Sequence, residues 1–143
     1  MRVVVGWHFL YEGYVKLSSE GWSAAGYLHA AVGPFSGMFQ FMAGSAGMVR
    51  LIDYIMMYGL SAVGLFLILG LFSRTAAIGA AILLLLFYLS NPPLVGVQFM
   101  PGEGSYLIVN KNLVELCAAM VLAVFPSGLF WGLDLLFSKE RPV

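Results

Sequence analysis

Residues 7–17 read WHFLYEGYVKL, an apolar stretch that carries His8, Glu12 and Lys16 four residues apart. At about 100° per residue these three polar groups form one stripe on a helix, with Gly6 and Gly13 on a second stripe roughly 100° round from Glu12. Val3, Trp7, Leu10, Tyr11 and Tyr14 take the far side. A charge near the centre of a bilayer costs about 2.5–3.5 kcal/mol on insertion scales, so such residues face protein or a polar cavity. The spacing therefore predicts a membrane-spanning helix with two inward faces, one polar and one of glycines for close helix contact, and a third turned to lipid.

The composition agrees. Of 143 residues, 61% are hydrophobic and 10% charged, and the mean hydropathy is +0.92, which lies outside the range of soluble globular domains. One membrane domain over residues 1–143 leaves no room for a separate soluble catalytic domain. A formal net charge of zero argues against nucleic acid as a partner. Cys117 is the single cysteine, which excludes an internal disulfide, a CxxC pair and a cysteine-based zinc site. It reads as a small core residue. The first apolar stretch has no small-residue cleavage site and is expected to stay in place as a span rather than act as a signal peptide.

Working outward, span one covers about residues 2–19. Residues 20–50 alternate aromatic residues and Met with glycines and Pro34, too broken for a span, and are expected to form one or two short interfacial helices in a long binding or lid segment. Span two covers about 51–72, with Arg50 and Asp53 able to pair at i, i+3 and Ser61 and Gly64 on a close-packing face. A turn at Ser73-Arg74 makes spans two and three an antiparallel hairpin. Span three, about 75–90, has 16 residues, about 24 Å of helix against roughly 30 Å of hydrocarbon. Arg74 can snorkel at one end of it, and Asn91-Pro92-Pro93 stops it at the other. Ala76 and Ala80 supply a small-residue face. A second loop over 94–106 contains Pro101, Gly102, Glu103 and Gly104. Span four then covers about 107–125, and GLFWGLDLLF after it reads as a short interfacial helix. The expected fold is an all-α four-transmembrane-helix bundle with interfacial segments in the first loop and at the C-terminus.

Four spans put both termini on one side, with Arg2, Arg74, Lys139 and Arg141, against Lys16, Arg50 and Lys111 on the other. That count votes for cytoplasmic termini. In either orientation Lys16, Arg50, Lys111, Glu12, Asp53 and Glu115 fall in the half of the membrane away from the termini, at the level of Tyr88, Asn91 and Asn112. Glu12 and Lys16 are expected to face Lys111 and Glu115 across the bundle. Two readings of the six charges stay open. They are ion pairs that set helix register (Glu12 with Lys16, Arg50 with Asp53, Lys111 with Glu115), or they are a site. Haem is not expected, because His8 lies toward the termini and His29 in the opposite loop. His8 reads as a hydrogen-bonded interior histidine and the candidate cofactor contact. No metal site is expected, and no GxGxxG, P-loop or HExxH pattern is present.

The pieces FLYEGYVKL, GLFLILGLFSRTAAIGA, LLLFYLSNPP and NKNLVELCAAMVLAVFPSG together resemble the DoxX-like membrane proteins, and especially the DoxD subunit of thiosulfate:quinone oxidoreductase. The likeness covers all four expected spans. Many such relatives carry a glutamate early in span two, where this chain has Gly59-Leu60-Ser61. The resemblance implies a bacterial or archaeal cell-membrane protein that works with a second membrane or peripheral subunit and passes electrons from thiosulfate or another small reduced sulfur compound to a quinone. A homo-oligomer is a further option. Quinone reduction needs an apolar slot, a cation or donor at a carbonyl oxygen, and a proton-handling carboxylate or histidine. On that expectation Glu12, Lys16, Lys111 and Glu115 are the catalytic candidates, Arg50, Asp53, Tyr88 and Asn112 the substrate-binding ones. The alternative is a non-catalytic assembly or anchoring subunit for a partner oxidoreductase. A small-solute carrier ranks below both, since no inverted repeat or pair of broken helices stands out.

Overall fold

A computed structural model describes residues 1–93, 108–125 and 127–137. The expected loop over 94–106, the first residue of span four and the basic tail residues Lys139 and Arg141 lie outside these. The described residues are largely helical and contain no strand. Helix α1 runs Arg2–Ser18, α2 Ala25–His29, α3 Ser36–Ala43 and α4 Ala46–Tyr54. A single π-helical stretch, Ile55–Gly59, joins α4 without a break to α5, Leu60–Leu69. Helices α6 (Ser73–Ser90), α7 (Lys111–Val124), α8 (Gly128–Trp131) and α9 (Asp134–Phe137) follow. Two of these are long and apolar enough to cross a membrane, the continuous helix Ala46–Leu69 and Ser73–Ser90.

The boundaries depart from the sequence reading where local chemistry intervenes. The second long helix begins at Ala46 rather than about 51, because no proline or turn interrupts residues 46–50. Its turn to the next helix is Gly70 to Phe72 rather than Ser73-Arg74. Gly70 takes the left-handed conformation (φ 65°) that ends α5, and Phe72 also has positive φ (47°), an uncommon state for a bulky residue. Helix α7 starts at Lys111, later than expected, because the buried Asn110 caps it and accepts a hydrogen bond from the Leu113 N–H at 3.0 Å. The segment after it is not one helix. Gly132, in an extended conformation, separates α8 from α9.

Helix α1 lies against α5 and the π segment, α5 against α6, and α6 against α7, while α1 and α7 touch only lightly. The α1 and α5 backbones meet through glycine, as the sequence pattern requires. A Cβ at Gly6 would come within 2.9 Å of the Gly64 carbonyl, one at Gly64 would overlap the Leu10 backbone, and one at Gly13 would overlap Ser61. On α6, Ala76, Ala77 and Ala80 are buried beside Ala119 and Leu122 of α7 in the main core, with Phe9, Leu67 and Leu84. Trp7, Tyr11 and Tyr14 stay exposed, the face expected to meet lipid.

Both ends of the hairpin are closed by other segments. At one end the first loop folds back, so that Val32 and Gly33 N–H groups donate to the Ser90 carbonyl at 3.1 and 2.9 Å. Tyr27 Oη reaches the Phe87 carbonyl at 3.2 Å. Ala24, Leu28, Ala31 and Phe39 form a small second core there. At the other end Asp134 accepts hydrogen bonds from Phe72 N (2.6 Å), Ser73 N (3.0 Å) and Ser73 Oγ (2.6 Å), capping α6 and holding the positive-φ turn. Burial alone would raise the Asp134 carboxyl. The hydrogen bonds from Ser73 and Phe72 and the nearby Arg2 charge outweigh it and hold the group below the usual carboxylate range. Leu133 N and Asp134 N donate to the Leu69 and Gly70 carbonyls, and Arg2 Nη2 donates to the Trp131 carbonyl.

Candidate functional site

The polar stripe of α1 forms a chain of contacts. Lys16 Nζ lies 2.6 Å from Glu12 Oε2, and Glu12 Oε1 is 3.8 Å from His8 Nε2. His8 Nδ1 meets Glu115 Oε1 of α7. The Lys16 ammonium also stands 5.6 Å from the centre of the Trp22 ring, at the start of the first loop. The imidazole is thus held between two carboxylates, one on its own helix and one on α7. Because α1 and α7 make little other contact, this link is the main polar tie across their seam.

The seam is not sealed. The side chains of Glu12 and His8 are 43% and 33% exposed, against 23% for Glu115 and 17% for Lys16. The second carboxylate oxygen of Glu115 is buried without a hydrogen-bond partner. Two cavities stand out among the described residues. One is lined by Met1, Arg2, Val3, Ser127, Phe130 and Trp131, and the other is an apolar groove between α5 and α6 at Ala62, Phe66 and Thr75. Neither includes the His8 group. The described residues contain no group of three or more His, Cys, Asp or Glu side chains placed to hold a metal ion.

The remaining candidates divide. Glu115 is met by the His8 ring rather than by the Lys111 ammonium one turn back, so the expected pair within α7 gives way to a tie between helices. Lys111 is the exposed first residue of α7, and Asn112 beside it is half-buried. Asp53 does not pair with Arg50. Its Oδ1 accepts from Ala24 N at 2.7 Å and faces Ser23 Oγ at 3.4 Å, so it caps α2, while Arg50 is exposed. Unsatisfied N–H groups at a helix start compete well for a carboxylate against an exposed cation, whose attraction water screens. Tyr88 Oη donates to the Ile108 carbonyl at 2.9 Å, linking α6 to the approach to α7. Cys117 is exposed on α7 rather than buried in the core. The face opposite it, Leu116 and Ala119, is what packs inward.

Sequence reading missed the His8 to Glu115 link and the clasp that Asp134 and Arg2 make at the far end. The first had a signal, since a histidine one turn before Glu12 extends the same stripe. The second had none beyond an acid two residues after a glycine.

The described residues are largely helical, and two helices long and apolar enough to cross a bilayer, with an outward aromatic face on α1, fit a membrane protein. The DoxX family profile matches residues 1–90, more than half of the chain, and the chain belongs to the DoxX family. No curated protein and no solved structure matches it. The matched region takes in α1 to α6, with His8, Glu12, Lys16, Arg50, Asp53 and Tyr88, whereas Lys111, Asn112 and Glu115 lie beyond it.

Proposed function

We propose that the chain is a DoxD-type, four-span membrane subunit of a quinone-linked oxidoreductase in a bacterial or archaeal cell membrane. Its termini are cytoplasmic on this reading, and it works with a partner subunit that delivers electrons from thiosulfate or another small reduced sulfur compound. The observation that carries this is His8 held between Glu12 and Glu115 on an incompletely closed seam between α1 and α7. His8 and Glu12 flank the middle residue of α1, so if α1 spans the bilayer they sit near its centre. Quinones partition into that layer and would reach the seam sideways.

The residues fit the group in kind. Glu115 has a buried oxygen with no partner, and the His8 side chain is one-third exposed. A bound quinone would supply two-electron, two-proton chemistry. His8 Nε2 would hold a proton at the seam, Glu115 would fix the ring through Nδ1, and Lys16 would orient the Glu12 carboxylate as the next proton carrier. The single cysteine offers no dithiol, so the sulfur chemistry belongs to the partner.

A second reading keeps one observation of its own. The charges close on one another and neither cavity touches them, as expected of an assembly or anchoring subunit whose ion pairs fix the helices. Quinone turnover by the purified membrane complex separates the two. Glu12→Gln and Glu115→Gln are each expected to lower turnover about tenfold or more at unchanged complex yield. If both leave turnover intact, the redox reading fails, and a loss of complex yield instead supports the assembly subunit.

A further inference from the structure

Lys16 does not extend toward the membrane surface. It stands six residues past Leu10, the middle of α1, which is about 9 Å along the axis and inside the roughly 15 Å half-thickness of the hydrocarbon if α1 spans it. A lysine at that depth ordinarily runs its stem outward so that the ammonium reaches the headgroups. Here Nζ is turned back toward the middle of the helix, 2.6 Å from Glu12 Oε2 and 3.3 Å from the Glu12 carbonyl. Its side chain is the least exposed of the four in the polar chain, although it is the one on α1 nearest the helix end.

The Trp22 ring is placed to explain this. Helix α1 ends at Ser18, the Trp22 N–H donates to the Ser19 carbonyl at 3.2 Å, and Gly21, at φ 71°, supplies the left-handed step that reverses the chain. The reversal brings the ring centre to 5.6 Å from Nζ, within reach of the attraction between a cation and an aromatic face. Packing holds the ring there. Trp22 is half-buried against the small core of Ala24, Leu28, Ala31 and Phe39. That core is tied to α4 through Asp53 at Ala24 N and to the end of α6 through Val32 and Gly33 at the Ser90 carbonyl.

We propose that Trp22 is a positioning residue, which holds the Lys16 ammonium inward on the Glu12 carboxylate and makes the first loop the element that controls this pair. The ring face supplies the attraction that headgroups and water would otherwise give, and its bulk shields the amine from them. The consequence for catalysis rests on the redox reading above, in which Lys16 orients Glu12 as a proton carrier. The placement of Lys16 by Trp22 stands without that reading.

Acylation of the Lys16 amine in the full chain in detergent micelles, followed by mass spectrometry with Lys111 as the internal reference, reads the placement directly. Wild type should react slowly at Lys16. Trp22→Ala should speed the reaction about fivefold or more, and Trp22→Phe about twofold, since the smaller ring keeps part of the attraction. Tetrafluorotryptophan at position 22 keeps the shape of the ring and withdraws electron density from its face, so a rise of about twofold or more there marks an electrostatic hold rather than a filled space. This variant carries the test if Trp22→Ala does not fold. Phe39→Ala loosens the same small core, leaves the ring in place, and should react at a rate close to that of wild type. A rate unchanged by the fluorinated ring, or raised as much by Phe39→Ala as by Trp22→Ala, overturns the proposal. Quinone turnover of the membrane complex is the second readout. If it survives both Glu12→Gln and Glu115→Gln while Lys16 still reacts in the ring-dependent order, the redox reading fails and the positioning of Lys16 stands. If Glu12→Gln lowers it, kcat should also fall about twofold or more with the fluorinated ring, and an unchanged kcat removes Trp22 from the reaction.

Discussion

Replacing Asp134 by alanine removes the side chain that caps α6 and holds the turn before it. Three donors lose their acceptor, namely the N–H groups of Phe72 and Ser73 and the Ser73 hydroxyl. Loss of a helix cap costs about 0.5–2 kcal/mol. The stranded Ser73 hydroxyl, on a residue only 3% exposed, adds about 1–3 kcal/mol. Solvent reaches Asp134 and Phe72, so the low end of each range applies, and about 1.5 kcal/mol is expected in total. Equilibrium unfolding of the full chain in mixed non-ionic and anionic detergent micelles reads it. Asp134→Asn keeps one acceptor oxygen and should lose less than Asp134→Ala. The pH dependence has a definite sign. Because the folded carboxyl titrates lower than the unfolded one, its contribution is complete above the ordinary carboxylate pKa, declines as pH falls below that value and is lost once pH has fallen through the lowered folded one. Wild type and Asp134→Ala should therefore converge in acid and differ most near neutrality. An alanine variant within about 0.5 kcal/mol of wild type at neutral pH would refute the clasp.

Gly64→Ala places a methyl against the Leu10 backbone and should cost about 1–3 kcal/mol by overpacking, while Gly37→Ala, with open space around it, should be nearly silent. Equal unfolding midpoints for the two variants would deny the close approach of α1 and α5. Asp53→Ala should release the start of α2 and speed limited proteolysis near Ala24, whereas Arg50→Gln should not. Matching cleavage rates in those two would instead favour an Arg50 to Asp53 ion pair.

What could be read from the sequence follows from which interactions are periodic. The α1 stripes repeat at helical spacing, so the placement of Gly6, Gly13 and the lipid-facing aromatics was legible, as were Ser61 and Gly64 opposite them. The small-residue face of α6 was legible for the same reason. Partner choice was not. Glu115 had a cation one turn back and took His8 on another helix, and Asp53 had Arg50 at i, i+3 and took the N–H of Ala24. Local spacing lists the partners a charge can reach within its own helix, whereas for Asp53 a backbone donor brought close by tertiary folding outbids the exposed Arg50 side chain. Cys117 was misjudged because residue type predicts burial only on average, and which face of α7 turns inward is set by Leu116 and Ala119.

The π-helical stretch at Ile55–Gly59 has a consequence for how the second long helix can vary. A wide turn of this kind is equivalent to one residue inserted into an α-helix, and each residue of an α-helix rotates the chain by about 100°. The stretch therefore lets α4 present Asp53 to the first loop while α5, a few residues on, presents Leu60, Gly64 and Leu67 inward. With a regular helix in its place, those two faces could not both be in register. A one-residue deletion between 55 and 59 would leave the hydropathy of the span almost untouched, yet would turn the loop-bearing half about a quarter of a circle against the packed half. Length in this helix is thus constrained by phase rather than by membrane thickness.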